Sequence, residues 1–545
     1  MKLENSAKQL VRNKQLFEKA VSRAQRALKN EKLNSVIAWA QIGADFAWSR
    51  HPGFYTSLPL ESLLIEVAHK LDKQPVNLTI DSQTLNKHKN AGKTHFLHVM
   101  TEAYKFGGHS LVVAGWIRNT SDTAVHSIVT TAQHSPLPDT LTSSVVATEG
   151  WCQSLAALSP NLLDRALLLR QFCRSWADVV VLHVHPFDAL PIVALGTEEG
   201  PPVILFNHAD NAFWLGVSIA DIVLDLHKLG QSLTLNRRGV KNSKILPIPL
   251  VKPNHTPSYE SARKKLGIKN DTTVLLTIGS EFKYAPFAGY DFVSTIVKIL
   301  KKYPSAMLLA IGPRHEGRWA QASSLVDDRI KAMAVIDWTD LHTFYACADI
   351  YVESFPMGSL TALLEAGARG VPVIGLHLKE VPHFSGADDV AFENLNVHAS
   401  SIEAFTSQLE HMIAEPSSYS QKSMQTKKCI ETTHFPPGWN DFLDEIMRSM
   451  PSEHRIRSPD ISNPQTDCTD TFLADLDATV LSPETAQHTF TGSVLRHAMY
   501  LQKMELLKEQ TRNFLETLPK TDRMKTLKNS LYYLRESLRT LNRCP

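Results

Sequence analysis

The hydrophobic positions along the chain follow two different periods. Up to about residue 72, apolar side chains recur at helical spacing, as at Phe17, Val21, Ala24 and Leu28, with charged residues between them. From Thr94 onward, short apolar runs alternate with amphipathic segments, which predicts β-strands separated by helices. Such alternation is typical of parallel sheets, whose functional residues lie at the carboxyl ends of the strands.

The first alternating region predicts a Rossmann-like domain. Its opening strand, Thr94–Met100, is followed by Gly107, Gly108 and His109 and then by an apolar helix, Ser110–Ile117. Glycines at this turn let the backbone approach a ligand above the sheet.

Polar residues follow several other predicted strands of this region. A histidine in such a place can act as an acid or base or hold a sugar hydroxyl, although for any one histidine a structural hydrogen bond is at least as well supported. No H-x-x-x-H spacing accompanies them, so no metal site is predicted. The residues concerned are His183, His185, Asp188, His208 and Asp210.

The second alternating region begins near Asp271 and contains the most informative stretch, Cys347–Leu376. This stretch reads as strand, turn, helix, turn and strand, with Gly358 in the first turn and the helix over Leu360–Ala368. A helix that begins directly after such a turn presents free N–H groups and the positive end of its dipole, which favours a phosphate. Glu365 lies one turn into the helix, where a carboxylate could accept hydrogen bonds from ribose hydroxyls.

The wording S-F-P-M-G-S-L-T, from Ser354 to Thr361, resembles the donor-site motif of GT-B-fold glycosyltransferases, in the S-F-P-x-G-S-x-T variant of a bacterial family 4-like group. The stretch N-H-A-D-x-x-F-W-L-G, beginning at Asn207, is similar to the acceptor-side domain of such enzymes. The resemblance covers roughly residues 94 to 450. It implies an α/β fold of GT-B type, in which two Rossmann-like parallel-sheet domains face a cleft and carry helical additions at both ends.

The resemblance also implies an activity, a hexosyltransferase-like transfer of sugar from a nucleotide sugar. A UDP-sugar is the leading expectation for the donor, with no obligatory cofactor, and the acceptor would be a glycan, a lipid-linked molecule or a protein. His208, Lys283 and Glu365 are the expected catalytic residues, on the sugar, the diphosphate and the ribose respectively. The expected donor contacts are Gly107, Gly108, Ser280, Lys283, Arg314, Trp338, Gly358, Ser359, Leu360, Thr361 and Glu365, and the acceptor-side candidates are His109, His185 and Asp210.

Two positions depart from the pattern of these enzymes. Met357 stands where many of them have a glutamate, and Ser280 stands where they often have a diphosphate-binding arginine. Two alternatives therefore stay open: a nucleotide-sugar epimerase or hydrolase of the same fold, and a degenerate, non-catalytic scaffold that binds partners. Val335–Trp338 is expected to be a strand end beside the base, with Trp338 either stacked on the base or buried in the core.

Composition and charge limit the number of domains and the kinds of partner that the chain can have. A chain of 545 residues exceeds what one core usually holds, and its formal net charge of +2 argues against a nucleic-acid partner held by bulk charge. Six scattered cysteines without a C-x-x-C pair, and opening residues without a signal-peptide run, lead us to expect a cytoplasmic protein. The expected division is a helical region at 1–90, an acceptor-side domain at 91–252, a nucleotide-sugar-binding domain at 253–450, and a linker with a helical tail at 451–545.

Three further expectations concern the linking and terminal segments. Arg237 and Arg238 are better explained as a solvated basic loop than as a phosphate site. The polar residues 458–470 are expected to be a linker. Leucines at near-heptad spacing between Leu527 and Leu541 predict a packing helix, and they leave open a homo-oligomer or peripheral membrane contact.

Overall fold

Two all-parallel sheets form the frame of the molecule. The computed structural model describes residues 2–72, 92–105, 108–252, 256–377, 385–393, 395–459, 466–481 and 484–501. Strands alternate with helices in both halves of the chain, so the predicted α/β class with two Rossmann-like domains is confirmed.

The first sheet is built around its earliest strand. Its strands are β1 (Thr94–Met100), β2 (Ala124–Thr130), β3 (Cys152–Ser154), β4 (Val179–His183), β5 (Val203–Phe206), β6 (Ile222–Asp225) and β7 (Ser243–Ile245). Their order across the sheet is β3-β2-β1-β4-β5-β6-β7. The winding reverses beside β1, so β1 and β4 flank the switch point where doubly wound sheets bind their ligands. In this register Met100 lies beside His183.

The second sheet repeats the plan with six strands. They are β8 (Thr273–Ile278), β9 (Ala306–Ile311), β10 (Ile330–Ala332), β11 (Ile350–Val352), β12 (Val373–Leu376) and β13 (His398–Ala399). Their order is β10-β9-β8-β11-β12-β13, which places the switch point between β8 and β11. Helices cover both faces of each sheet, and this is why the central strands read as continuous apolar runs rather than alternating ones.

The helices that pack around these sheets vary from one turn to eight. They are α1 (Lys2–Lys29), α2 (Leu33–Ser49), α3 (Leu58–Asp72), α4 (Gly108–Asn119), α5 (Asp139–Ala147), α6 (Leu155–Leu158), α7 (Leu162–Trp176), α8 (Leu190–Leu195), α9 (Lys228–Asn236), α10 (Tyr259–Leu266), α11 (Phe292–Lys302), α12 (Gly317–Ser324), α13 (Trp338–Cys347), α14 (Leu360–Ala368), α15 (Ile402–Ala414), α16 (Ser420–His434), α17 (Gly438–Arg448), α18 (Cys468–Leu476) and α19 (Ala486–Arg496). Helix α17 returns to the first domain, where Trp439 Nε1 donates to Pro247 O at 2.7 Å.

The three N-terminal helices complete the first domain. Helices α1, α2 and α3 share a single apolar core with side chains of β1, β4 and α7. This core includes Phe46 of α2, Leu97 of β1 and Leu169 of α7. All three of these side chains are fully buried. The N-terminal helices therefore act as a packing layer over one face of the first sheet.

The C-terminal segment from residue 466 is tied to the same helices. His51 Nε2 and Asp470 Oδ1 lie 2.8 Å apart, and Arg496 Nε donates to Asp45 Oδ2 at 2.8 Å. Asp470 is fully buried. The polar stretch expected to be a linker therefore begins helix α18 at Cys468, and within it Asp470 is buried. The predicted leucine-rich helix from Leu527 lies outside the described residues.

One predicted strand end turns out to be a helix start. The structure ends β10 at Ala332 and begins α13 at Trp338, with the Asp337 side chain accepting from Thr339 N. The prediction for Val335–Trp338 is therefore wrong, because an aspartate placed before a helical run acts as its N-cap. Within the described ranges, every helix is too short or too polar to cross a bilayer.

Candidate functional site

A cleft of about 950 Å³ lies between the carboxyl ends of the two sheets. The first domain lines it with Gly108 and His208, and the second with Lys283, Thr361 and Glu365. These five residues come from four loops or helix starts that are far apart in sequence, and both switch points open onto the same space. The predicted arrangement of two Rossmann-like domains facing a cleft, the GT-B arrangement, is confirmed.

Two helix N-termini meet across this cleft. Helix α4 begins at Gly108 and helix α14 at Leu360. A Cβ placed on Gly108 would lie 3.6 Å from Thr361 Oγ1, so the two helix starts almost touch. Each start directs free N–H groups and a positive dipole end into the gap, which favours an anion there.

Lys283 adds a cation at the start of α14. It lies on a short 3-10 turn, Glu281–Tyr284, directly after β8. Its Nζ donates to Gly358 O at 2.8 Å and to Ser359 Oγ at 3.1 Å. Burial lowers the pKa of Lys283, and the negative charge of Glu353 opposes that shift. The ammonium is thus fixed beside the N-terminus of α14 by the turn that precedes the helix.

The turn can come this close because residue 279 has no side chain. A Cβ on Gly279 would lie 2.7 Å from Ser359 Oγ and 3.2 Å from the Tyr284 hydroxyl. Ser280, the next residue and one of the two departures from the resembled pattern, is exposed at the edge of the cleft. Lys283 is therefore the cation that the described chain places at this point of the cleft lining.

Glu365 faces the cleft from the second turn of α14. It is half-buried, and Arg369 Nη1 donates to its backbone oxygen at 2.6 Å. Burial and the negative charge of Glu365 raise the pKa of the neighbouring Tyr345 well above its ordinary value. A carboxylate held in this position can accept hydrogen bonds from a diol.

Two neighbouring histidines lie on the first-domain side, where His208 lines the cleft. The His109 and His208 rings are 4.5 Å apart at an angle of 66°. His109 Nε2 lies 2.7 Å from the carbonyl oxygen of His183 and donates to it. Burial lowers the pKa of His109 to about 4 and lowers that of His208 well below its ordinary value. Both imidazoles are therefore neutral at neutral pH and suited to hydrogen bonding with hydroxyls.

Asp210, predicted as an acceptor-side residue, lines the cleft and also takes part in a contact between the domains. Its Oδ2 lies 2.8 Å from His227 Nε2, and His227 Nδ1 lies 3.0 Å from Asp388 Oδ2 of the second domain. Burial lowers the pKa of His227, but the two carboxylates outweigh it and raise that pKa well above its ordinary value. The imidazolium joins both walls at one end of the cleft, a contact that no local sequence pattern indicates.

The loop that carries His208 and Asp210 is fixed from behind by Arg238. This arginine donates to Asp210 O at 2.6 Å and to Ala212 O at 2.7 Å, and its guanidinium lies 4.5 Å from the Trp214 ring centroid. Arg237 pairs with Asp470 at 2.8 Å. The expectation of a solvated basic loop is therefore wrong, because these cations satisfy buried carbonyl and carboxylate oxygens.

Four predicted site residues remain: His185, Arg314, Trp338 and Gly107. His185 stacks with the Tyr104 ring at 6.0 Å and 6°, and Arg314 is exposed and absent from the cleft lining that the structure describes. Trp338 begins helix α13, and Gly107 lies outside the described residues. Over the described ranges there is no group of three or more His, Cys, Asp or Glu placed to hold a metal ion.

Met357, the departure from the glutamate pattern, has an apolar partner. It packs in a small buried cluster with Phe287 and with Leu476 from the C-terminal segment. The Phe287 and Phe472 rings meet edge to face at 4.9 Å. Helix α18 therefore covers the loop before α14, and Leu476 lines the cleft beside it. A charged side chain at position 357 would be buried against these groups, which explains the methionine.

Comparisons with known proteins found similar solved structures and no match in sequence: no protein-family model matches the chain, and no curated protein matches it. Similar solved structures include a mutant O-GlcNAc transferase from Thermobaculum terrenum, at 14% identity over 79% of this chain and 81% of that one, with a TM-score of 0.47. Anabaena HepE in complex with UDP-glucose is 14% identical over 65% of this chain and 99% of that one, with a TM-score of 0.47. UDP-GlcNAc 2-epimerase from Neisseria meningitidis, bound to UDP-GlcNAc, is 12% identical over 65% of this chain and 100% of that one, with a TM-score of 0.42. At these identities the similarity is one of fold.

Proposed function

We propose that the protein is a glycosyltransferase that uses a nucleotide-sugar donor. The observation that supports this most directly is the convergence of Lys283, the N-termini of α4 and α14, Glu365 and His208 on one cleft. A nucleotide sugar presents a diphosphate between a ribose and a hexose, and the cleft offers a cation, a diol acceptor and neutral imidazoles around one gap.

The diphosphate would lie in the cleft beside the two helix starts, where the free N–H groups of both helices open onto it. When the glycosidic bond to the diphosphate breaks, negative charge grows on the leaving oxygen. Lys283 and the free N–H groups near Thr361 and Gly108 would stabilise that charge, and they are fixed before the reaction begins. Ribose hydroxyls would then reach Glu365, and the hexose would extend toward His208.

The acceptor would enter past the helices at the ends of the chain. Trp48 of α2, together with Leu476 and Leu481 of the C-terminal segment, forms an apolar side of the cleft next to the His208 loop. Trp48 is 45% exposed, so one part of its ring is available to a ligand. Aromatic and aliphatic side chains of this kind suit the apolar face of a sugar ring or an apolar stretch of another acceptor.

Binding of uridine nucleotides is the primary test. UDP-glucose and UDP-GlcNAc, the ligands named for two of the similar structures, are the first probes. A ligand at 100 times its dissociation constant stabilises the folded state by about 2.7 kcal/mol, which a thermal-shift experiment detects. Lys283→Met should weaken binding and lower kcat/KM about 10²- to 10³-fold, because one stabilising group is lost from the transition state.

Lys298→Met is the matched control. Lys298 is an exposed lysine on α11 of the same domain, so its loss changes the net charge equally and leaves the cleft intact. If no UDP, GDP or ADP species binds, or if the two lysine variants behave alike, the proposal is wrong. Release or isomerisation of the donor sugar without any acceptor would favour a hydrolase or an epimerase instead.

A further inference from the structure

Three buried histidines and the partly exposed His208 form an unbroken hydrogen-bonded row that ends at His208. The row crosses three neighbouring strands of the first sheet, β2, β1 and β4, before it reaches the loop after β5. His126 Nδ1 lies 2.9 Å from His98 Nε2, and His98 Nδ1 lies 3.1 Å from His183 Nε2. His183 Nδ1 then lies 3.0 Å from His208 Nε2. We call these four residues the histidine row.

The far end of the row meets a hydroxyl whose proton is already in use. Thr120 Oγ1 lies 2.9 Å from His126 Nε2, and it donates to the backbone oxygen of Trp116, also at 2.9 Å. A threonine hydroxyl has a single proton, so in the arrangement in which Thr120 donates to Trp116 O it accepts from His126. His126 must therefore carry its proton on Nε2 and accept on Nδ1.

The same direction of hydrogen-bond donation, from Nε2 to the next Nδ1, holds between each pair of histidines in the row. A neutral imidazole has one N–H and one lone pair, so each histidine that accepts on Nδ1 must donate from Nε2. The pKa of His98 is lowered to about 3 by burial, and burial lowers those of His126 and His183 well below the ordinary value. The row is thus neutral at neutral pH. At its near end, His208 must donate from Nε2 to His183 and keep an unprotonated Nδ1.

We propose that Thr120, acting through His126, His98 and His183, fixes the tautomer of His208 so that its Nδ1 presents a lone pair to the cleft. On the proposed function, on which this part of the inference rests, that lone pair accepts a hydrogen bond from a hydroxyl of the bound sugar or acceptor. Thr120 and the three inner histidines are positioning residues, since they act through His208.

The surroundings of the row fit an orienting role better than a proton path to solvent. Thr120 and the three inner histidines are all buried, so the row ends inside the protein. Phe96 stacks on His126 at 5.3 Å and 9°, and the Trp116 ring stands edge-on to His98 at 5.6 Å. No carboxylate contributes to the pKa shifts of the four histidines within the described structure. Nothing charged competes with the direction that Thr120 imposes.

The tautomers can be measured on the unaltered protein without any substrate. Histidine labelled with ¹⁵N in both ring nitrogens gives separate long-range ¹H–¹⁵N correlation patterns for the Nε2–H and Nδ1–H forms. The His208 signals are assigned from the difference spectrum of His208→Asn. We expect His208 to be in the Nε2–H form at pH 7.5. An Nδ1–H pattern, or an equal mixture, overturns the proposal whether or not the protein transfers sugars.

Variants at the far end then test the cause. Thr120→Val removes the hydroxyl and keeps the shape of the side chain. His126 Nε2 then has no hydroxyl partner in either tautomer, so both tautomers of His208 should appear. Thr120→Ser keeps the hydroxyl and should restore the single Nε2–H form. Thr123→Val is the matched control, because the Thr123 hydroxyl bonds only a backbone oxygen of the same turn, Thr120 O, at 3.3 Å.

The kinetic consequence separates this proposal from the proposed function. With an active donor and acceptor, Thr120→Val should lower kcat about tenfold and leave the donor KM unchanged. This is part of the rate enhancement of about 10²- to 10⁴-fold that a positioned acid or base contributes. If Thr120→Val changes the His208 tautomer but the unaltered protein transfers no sugar, the proposed function is contradicted, and the effect of the row on His208 still stands. Loss of activity in Thr120→Val with the His208 tautomer unchanged would overturn the inference.

Discussion

Two buried histidine sites in the first domain show how neighbours decide charge. In the histidine row each imidazole has another imidazole or a threonine hydroxyl as its partner, and the pKa values are lowered by burial. At the domain contact, His227 lies between the carboxylates of Asp210 and Asp388, and its pKa is raised well above the ordinary value. Burial acts on both sites in the same direction, so the carboxylates make the difference.

The contrast matters for the cleft because the two sites do different work. A neutral row can fix the direction of every N–H along it, whereas a protonated histidine has two donors and no direction. A charged histidine between two carboxylates can instead hold two domains together, because each link is a charge-assisted hydrogen bond. The first site therefore suits orientation of a cleft residue, and the second suits the relative placement of the walls.

The largest expected effect is on stability in acid. A histidine whose pKa is lower in the folded state loses protons on folding, so its contribution to stability falls as the pH drops below about 6.5. For His98 the loss should continue to the folded value of about 3. Each histidine of the row contributes up to about 1.4 kcal/mol per pH unit, so stability should fall by several kcal/mol between pH 7.5 and pH 5. Urea unfolding across this range measures the loss.

An exposed histidine provides the control for this pH dependence. His69 on α3 is exposed, and His69→Asn should leave the loss of stability between pH 7.5 and pH 5 unchanged. Equal unfolding midpoints at pH 7.5 and pH 5 would show that folding does not lower the pKa values of the histidine row. The contrast with His227 would then disappear.

The next effect in size concerns the cleft end of the row. His208→Ala removes the imidazole that faces the sugar in the proposed reaction, and kcat should fall about 10²- to 10⁴-fold. Donor affinity should change little, because Lys283 and the helix N-termini remain. Steady-state kinetics and nucleotide titration on the same variant separate the two quantities. A loss of nucleotide binding as large as the loss of kcat would assign His208 to the donor diphosphate instead.

The sequence predicted the local elements of this molecule better than its site. Strand Thr94–Met100 has the predicted bounds, since it is a largely apolar run whose signal is local. Helix α14 and the turn before it were also readable, and with them the position of Thr361 in the first turn of the helix. These features depend on residues close together in the chain. Lys283 was expected from the family resemblance, because its contact with Ser359 spans 76 positions of sequence.

The two histidine sites depend on pairing across the fold, and the sequence could not supply it. His98 and His126 are polar residues inside apolar strand runs, and that was the available signal. Their contact follows from the strand order and register, which sequence periodicity leaves undetermined. Asp388 reaches His227 across 161 positions of sequence. Arg238 was misjudged for the same reason, since the carbonyl oxygens that it satisfies belong to a loop far from it in the chain.

A smaller effect is expected when the domain contact is weakened. Asp388→Asn leaves His227 with one carboxylate, so the protein should lose about 1–3 kcal/mol, the range for a hydrogen bond to a charged group. A raised folded pKa gives stability that is complete below pH 6.5 and is lost as the pH rises through that pKa. The difference between Asp388→Asn and the unaltered protein should therefore be larger at pH 6.5 than at pH 10. A difference that grows with pH would mean that His227 is neutral.

The smallest effect should come from the exposed ion pair beside that contact. Lys228 and Glu393 join the same two domains, but their side chains are 58% and 50% exposed. Solvent screens such a pair, and ordering two long side chains has an entropic cost, so Lys228→Ala should change stability by less than about 1 kcal/mol. Its effect should also shrink in 1 M salt, where the screening length is about 3 Å, whereas the effect of Asp388→Asn should persist. If Lys228→Ala costs as much as Asp388→Asn, burial of His227 between carboxylates is not what holds the walls together.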